Sequence, residues 1–256
     1  MTSTTAPTRT AGPAGRDSMR NAGLTAGVGL LFLTVLSVFG YFVAVKGLVT
    51  PEDAAQTARD ITGSPGLFRL GIASLYVVIV ADIVVGWALY RVFSPVSRTI
   101  SMLAAVMRVA FGVVFMVAIS QLVAVPRLLG DQPSPAVFAP AELQAQALSA
   151  IQAFSDIWHA GLLLFGLHLL LIGYLAFRSG YVPKLLGVLL VIDGASYVVD
   201  TFGTVLSSGL WTDTATFTWI GEFLLAPWLI IRSRRLAADG SPLGQPAIAD
   251  SVPLPR

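Results

Sequence analysis

The sequence predicts an all-α integral membrane protein: a bundle of six transmembrane helices with short extracytoplasmic helices in the outer loops. Composition is the first reason. Hydrophobic residues make up 55% of the 256-residue chain and charged residues 12%, about half the charged fraction of a soluble domain. The mean hydropathy is +0.77. Six apolar stretches could each cross a hydrocarbon core of about 30 Å. These features exclude a soluble enzyme and a disordered chain.

The predicted spans divide the chain into one membrane domain and two tails. They cover residues 23–45, 70–93, 99–125, 157–177, 185–206 and 215–231. Residues 1–22 and 236–256 are rich in small residues and proline, so we expect disordered tails on either side of a membrane domain over 23–235. The first span exceeds the roughly 7–15 apolar residues of a cleavable signal sequence, so we expect it to be retained.

Lysine and arginine are distributed unevenly between the two sides of the predicted bundle. Eleven of them lie on one side, in the tails or close to the ends of the second, fourth and sixth spans, namely Arg9, Arg16, Arg20, Arg91, Arg98, Arg178, Lys184, Arg232, Arg234, Arg235 and Arg256. The opposite side carries four, namely Lys46, Arg59, Arg69 and Arg127. Because basic residues collect on the cytoplasmic side, this count predicts a plasma (cell) membrane protein with both termini in the cytoplasm.

Two outer loops contain helix signals. Thr50–Asp53 has the pattern of a capping residue, a proline at the first helical position and a following acid, which predicts a helix over Pro51–Asp60. The segment Gly63–Gly66 would end it. Between the third and fourth spans, we expect a proline-broken loop over 131–140 and then a short outer helix over 141–154 that leads into the membrane.

Ionisable residues inside the spans are the informative feature of this sequence. A charge at the membrane centre costs at least about 2.5–3.5 kcal/mol on insertion scales, so each needs a reason to be there. Measured from the predicted cytoplasmic ends, five polar residues lie at a common depth of about 12–17 Å: Asp82, Arg108, His168, Asp193 and Glu222. Asp200 lies about two turns further out, and His159 lies near the outer surface. Four acids therefore accompany one arginine.

One face of the fifth span is polar. Its residues recur at steps of three and four along a helix: Asp193, Ser196, Tyr197, Asp200 and Thr204. We expect this face to look into the bundle or into a water-filled crevice. Gly187 and Gly194 lie beside it and would permit close approach of a neighbouring helix.

Two interpretations of these residues stay open. In the structural one, Arg108 pairs with Asp193 or Asp82, and the remaining acids form hydrogen bonds between helices. The protein is then a non-catalytic scaffold or partner-binding subunit, and Gly23-x-x-x-Gly27 could support helix association. In the functional one, the surplus carboxylates take up protons or a cation for a coupled transport function. Asp82, Asp193, Asp200 and Glu222 would then bind protons, with Arg108 as counter-charge.

The sequence argues against the common enzyme classes. It has no cysteine, which excludes disulfides, thiol nucleophiles and thiolate-bound metals. His159 and His168 lie nine residues apart, on opposite sides of one helix, so they cannot bind one haem together. No zinc-protease, nucleophile-elbow or phosphate-loop motif occurs. We therefore expect no enzyme activity, no cofactor and no metal. The expected partners are the lipid bilayer, a small solute or ion, and further copies in a homo-oligomer, but not nucleic acid.

A longer motif follows the fourth span. Together, Gly166–His168, the stretch Gly173–Gly187 and the segment Leu67–Gly71 resemble the membrane proteins grouped as domain-of-unknown-function family 4386. The resemblance extends over about residues 21–235. It implies an integral membrane protein of bacteria with six or seven helices, and it implies no activity, substrate or catalytic residue.

Overall fold

The protein is all-helical in the parts that its computed structural model describes, residues 13–130, 138–207 and 220–239, which contain no strand. Seven helices make up these parts: α1 (Pro13–Ser37), α2 (Ala54–Gly63), α3 (Pro65–Phe93), α4 (Arg98–Leu129), α5 (Pro140–Arg178), α6 (Lys184–Leu206) and α7 (Ile220–Asp239). After α1 the chain continues as a π-helix over Val38–Val45 and a single 3₁₀ turn over Lys46–Leu48.

Five helical segments among the described residues are long and apolar enough to cross a membrane: Met19–Leu48, α3, α4, α5 and α6. The sixth predicted span is not among them. Its residues 215–219 lie outside the described residues, and the apolar part of α7 from Ile220 to Ile231 covers only about 18 Å before Arg232 follows.

The predicted tails are too long. α1 begins at Pro13, so residues 13–22 are helical, contrary to the prediction. Proline suits the first helical position, and no further proline interrupts the chain before the apolar part. At the other end, α7 continues to Asp239, which makes residues 236–239 helical as well. The remaining tail residues, 1–12 and 240–256, lie outside the described residues.

The helix predicted over 141–154 is not a separate element. It and the fourth predicted span form one 39-residue helix, α5, which begins at Pro140. No glycine or proline occurs between Ala141 and Ala160, so nothing in the sequence breaks the helix. At almost 60 Å, α5 is about twice as long as a bilayer core is thick. Residues 131–137 of the predicted loop lie outside the described residues.

The short helix after α1 exists, but it begins three residues later than predicted, at Ala54. Asp53 is the capping residue, because its Oδ1 accepts a hydrogen bond from the backbone N–H of Gln56 at 2.8 Å. Glu52 has a φ of 63°, which interrupts any helix that starts before it. Thr50 instead forms two hydrogen bonds with the hydroxyl of Thr57.

The six long helices pack as a closed ring in the order α1, α3, α4, α5, α6 and α7, with α7 returning to α1. α2 connects the end of the first apolar helix to the start of α3 and packs mainly against α5. Side chains that point into the ring from several helices can therefore meet one another.

Glycines allow α5 and α6 to approach backbone to backbone. A Cβ at Gly194 would lie 2.6 Å from the backbone oxygen of Gly166. Seven residues further along α5, a Cβ at Gly173 would lie 2.8 Å from the backbone oxygen of Gly187. The predicted close approach at Gly187 and Gly194 is confirmed.

The Gly23-x-x-x-Gly27 pattern packs α1 against α7 within the same chain. A Cβ at Gly27 would lie 2.8 Å from the backbone oxygen of Ala226, and one at Gly23 would collide with the hydroxyl of Ser233. The pattern is therefore occupied inside the molecule and gives no support to association between copies. Because Gly23 lies beside Ser233, the start of α1 and the end of α7 are at the same end of the bundle.

The turn between α5 and α6 is fixed to α3. Gly180 adopts a φ of 72°, which glycine accommodates without strain. Next to it, the hydroxyl of Tyr181 donates a hydrogen bond of 2.8 Å to the backbone oxygen of Val92. Burial raises the pKa of the Tyr181 phenol, so it remains the neutral donor that this bond requires. The sequence motif over Gly173–Gly187 thus includes a turn that joins two parts of the ring.

Candidate functional site

Arg108 lies at the centre of the ring and is only 2% exposed. It projects from α4 and forms hydrogen bonds with side chains from three other helices: Asp82 of α3, His168 of α5 and Glu222 of α7. We refer to these four residues as the Arg108 cluster. On their helices, Asp82, Arg108 and His168 lie about 15–17 Å from the end opposite α2, near the middle of a bilayer core. On α7, Glu222 lies ten residues, about 15 Å, before Arg232.

Asp82 is the closest partner of Arg108. Both Nε, at 3.0 Å, and Nη2, at 2.6 Å, donate to the same carboxylate oxygen, Oδ1. The other oxygen, Oδ2, is buried and has no hydrogen-bond partner among the described residues. One turn along α3, Gly86 lies against the arginine, and a Cβ there would be in ordinary van der Waals contact with its Cδ at 3.4 Å. Of the two predicted pairings for Arg108, the structure forms the one with Asp82.

The hydrogen bonds of His168 fix its protonation state. Its Nδ1 lies 2.8 Å from the backbone oxygen of Ala104, which can only accept, so Nδ1 carries the proton. Its Nε2 lies 3.0 Å from Nη1 of Arg108, which can only donate, so Nε2 accepts. His168 is therefore neutral, and in this arrangement neither nitrogen can take a further proton. The sequence predicts His168 as a candidate buried polar and proton-binding residue, and this geometry supports the first of these roles but not the second.

Glu222 is the most accessible member of the cluster. Its Oε1 accepts a hydrogen bond of 3.0 Å from Nη1 of Arg108, and its side chain is 25% exposed. The Asp82 side chain, in comparison, is 8% exposed. The two carboxylates therefore contact one guanidinium, but only that of Glu222 has substantial exposure.

Asp193 lies beside the cluster but does not bond to Arg108. It is 2% exposed, and its Oδ2 accepts a hydrogen bond of 3.2 Å from the backbone N–H of Glu222. The backbone N–H of Gly221 is directed at the same carboxylate. Asp193 thus binds backbone donors in the first described turn of α7, where a negative charge is favourable. Its place in the structure is that of a cap supplied by a neighbouring helix.

Two of the other ionisable residues lie elsewhere. Asp200 is half-buried two turns further along α6 and is not a hydrogen-bond partner of Arg108. His159 is exposed, and its Nδ1 lies 2.7 Å from the backbone oxygen of Ser155. Of the six candidate residues, the structure therefore brings four together, places Asp193 next to them and leaves Asp200 outside.

The sequence reasoning did not identify Phe165 as part of this site. The Arg108 guanidinium carbon lies 5.3 Å from the centre of the Phe165 ring, which suits a cation–π contact. The same ring stacks on His168 with centroids 5.9 Å apart. The signal was available, because Phe165 precedes His168 by three residues and so shares its helix face.

The site holds more acids than bases. Asp82, Glu222 and the adjacent Asp193 are three carboxylic groups against the one guanidinium of Arg108, and His168 is neutral. A low-dielectric interior opposes uncompensated charge, so the site favours a bound proton or another cation. The excess of carboxylic groups over bases is therefore the main chemical property of the site.

Comparison with known proteins shows the family. The family described as "Domain of unknown function (DUF4386)" matches residues 25–233. The chain belongs to this family. A relative from Archaeoglobus fulgidus, described as an uncharacterized protein, is 31% identical over 166 residues, which are 65% of this chain and 85% of that protein. No solved structure gives a significant match.

The DUF4386 match covers the whole of the Arg108 cluster and Asp193. Neither the family description nor the relative names an activity. The function of this DUF4386 protein has therefore to be argued from its own residues.

Proposed function

We propose that this protein moves protons across its membrane, using the carboxylates around Arg108, and that it catalyses no other chemical reaction. The observation that carries the proposal is the acid surplus at a buried arginine, together with the unpartnered Oδ2 of Asp82. Ionisable groups within membrane helices commonly form proton relays, because charge placed there is otherwise disfavoured.

Glu222 and Asp82 suit the two ends of a short relay. Glu222 is the more exposed carboxylate and would be the one that exchanges a proton with water, whereas Asp82 is buried and contacts the opposite side of the same guanidinium. Arg108 would hold the two carboxylates in place through its hydrogen bonds to both of them. His168 would position Arg108 without taking up or passing on a further proton, because both of its nitrogens are engaged.

A proton suits this site better than a metal cation. Among residues 13–130, 138–207 and 220–239, no group of three or more acidic or histidine side chains could hold a metal ion. The guanidinium occupies the position between the carboxylates, where it would repel a metal ion. We therefore propose protons as the transported species.

The test is a proton-flux measurement on purified protein reconstituted into liposomes that contain a pH-sensitive dye. We expect wild-type protein to collapse an imposed pH gradient faster than protein-free liposomes. Glu222→Gln and Asp82→Asn should each reduce the rate at least about a hundredfold, the lower end of the range for losing a positioned acid–base group. Both replacements keep an oxygen that can accept from Arg108, so the fold should be retained.

Asp156→Asn is the matched control. Asp156 lies on α5, is exposed and is remote from the cluster, so its replacement makes the same chemical change without altering the relay. A wild-type rate equal to that of empty liposomes would refute proton movement. Equal rates in the wild type, the control and both cluster variants would refute the assignment of these carboxylates.

One observation favours a second function. Arg108 connects four helices through its hydrogen bonds, so the cluster could serve only to fix the packing of a membrane scaffold or partner-binding subunit. Under this alternative, the cluster variants would change stability, and the wild type would show no flux. The same set of liposomes and variants therefore distinguishes the two functions.

We also propose that the protein lies in the plasma membrane with both chain ends in the cytoplasm. The packing of Gly23 beside Ser233 supports a common side for the two ends, and the excess of arginine at that end supports the cytoplasm. Because the chain has no cysteine, single cysteines can be labelled without background. In intact cells, we expect an impermeant maleimide to label Thr62→Cys but not Pro95→Cys. The reverse result would contradict the orientation.

A further inference from the structure

A second polar feature lies between α3 and α4, away from the Arg108 cluster. A pocket of about 260 Å³ is lined by Arg69, Ile72, Val123, Pro126 and Arg127. Two of its five lining residues are therefore cations, and none is acidic. Pro126 removes a backbone hydrogen bond from the last turns of α4, at the place where this pocket forms.

These two arginines differ from the other basic residues at the same end of the bundle. Lys46 lies over the ring of Phe42 at 5.6 Å, and Arg59 donates two hydrogen bonds to Gln56. Arg69 and Arg127 are exposed, and within the described parts of the chain neither forms a hydrogen bond or an ion pair. Two like charges that share one pocket repel each other unless an anion lies between them.

The charged and apolar residues of the pocket follow the order of the headgroup and the acyl chain of a phospholipid. On α3, Arg69 lies near the start of the helix, and Ile72 lies one turn deeper. On α4, which runs in the opposite direction, Arg127 lies near the end, and Val123 lies one turn deeper. From the membrane surface inwards, the pocket thus presents two guanidinium groups and then aliphatic side chains.

We propose that this pocket binds the headgroup phosphate of an anionic phospholipid, with the start of an acyl chain against Ile72 and Val123. Guanidinium groups bind phosphate oxygens through two parallel hydrogen bonds, and two arginines suit a headgroup of net negative charge. Basic pockets between membrane helices bind lipid headgroups on the matrix and cytoplasmic sides of membranes, and we infer the same chemistry at the opposite end of this bundle. The site is separate from the proton relay and does not depend on it.

The experiment measures lipid retention by native mass spectrometry of the purified full chain in a neutral detergent. Phosphatidylglycerol is compared with phosphatidylcholine of the same chain length. We expect the wild type to retain one phosphatidylglycerol with a preference of roughly 30-fold, about a factor of five for each basic residue near the headgroup. The double variant Arg69→Gln/Arg127→Gln should lose this preference.

Lys46→Gln/Arg59→Gln is the matched control, because it removes the same charge at the same end of the bundle. It should keep the preference of the wild type. Both pairs lie on exposed positions, and gel filtration would establish that each variant is folded. No preference in the wild type, or equal losses in both double variants, would overturn the proposal. Inorganic phosphate that displaces phosphatidylglycerol at equal concentration would also overturn it, because the apolar wall would then contribute nothing.

Discussion

Arg108→Met is expected to lower the free energy of unfolding by about 3–5 kcal/mol, the range for removing one partner from a buried ion pair. The variant would leave the carboxylates of Asp82 and Glu222 without their cation in the middle of the bundle. It would also leave Nε2 of His168 without a donor. The change can be measured as a shift in the denaturant midpoint of the purified protein in detergent.

Arg98→Met is the control, because it removes an exposed arginine from the first turn of the same helix. It should change the free energy of unfolding by no more than about 0.5 kcal/mol. Equal stabilities of the two variants would show that Arg108 does not hold the ring together.

A triple variant separates the two functions proposed for the cluster. Asp82→Leu/Arg108→Met/Glu222→Met replaces every charge of the buried network by an apolar side chain of comparable size. Such replacements are often neutral or stabilising, by about 1–4 kcal/mol. If the triple variant is as stable as the wild type and carries no protons, the cluster is kept for flux and not for folding. If it is unstable, the scaffold function is favoured.

The fold class follows from the sequence because lipid imposes simple constraints on length and composition. A hydrocarbon core of fixed thickness needs about 20 apolar residues, so the extents of α4 and α6 could be predicted to within a few residues. The errors concern helical segments in the loops and tails. There, membrane thickness does not apply, and the start of α2 depends on the conformation of Glu52.

The sequence predicted the depth at which the residues of the candidate site lie, but not which of their side chains contact one another. Counting residues along each helix placed five polar groups at a common depth, and three of these form hydrogen bonds to a fourth, Arg108. Depth alone does not give the rotation of each helix, so it could not decide between Asp82 and Asp193 as the partner of Arg108. In the structure Arg108 binds Asp82, whereas Asp193 binds the backbone N–H of Glu222 in the first described turn of α7.

Gly194→Val is the second change expected to have a large effect, a loss of about 3 kcal/mol in the free energy of unfolding. Its Cβ would lie 2.6 Å from the backbone oxygen of Gly166 and 2.7 Å from the backbone nitrogen of Leu170. Both contacts are with backbone atoms of α5, so no side chain can rotate away. The two helices must separate, and thermal denaturation in detergent would measure the loss.

Gly66→Val is the matched control, since Gly66 is also helical and a Cβ there has nothing within 4 Å. The structure further predicts that Gly194→Val impairs proton flux in the molecules that remain folded. The neighbouring Asp193 would move away from the backbone N–H of Glu222, and the first described turn of α7 would lose its cap. If Gly194→Val matched Gly66→Val in both stability and flux, α5 and α6 would not cross at Gly166, and the position of Asp193 against α7 would be wrong as well.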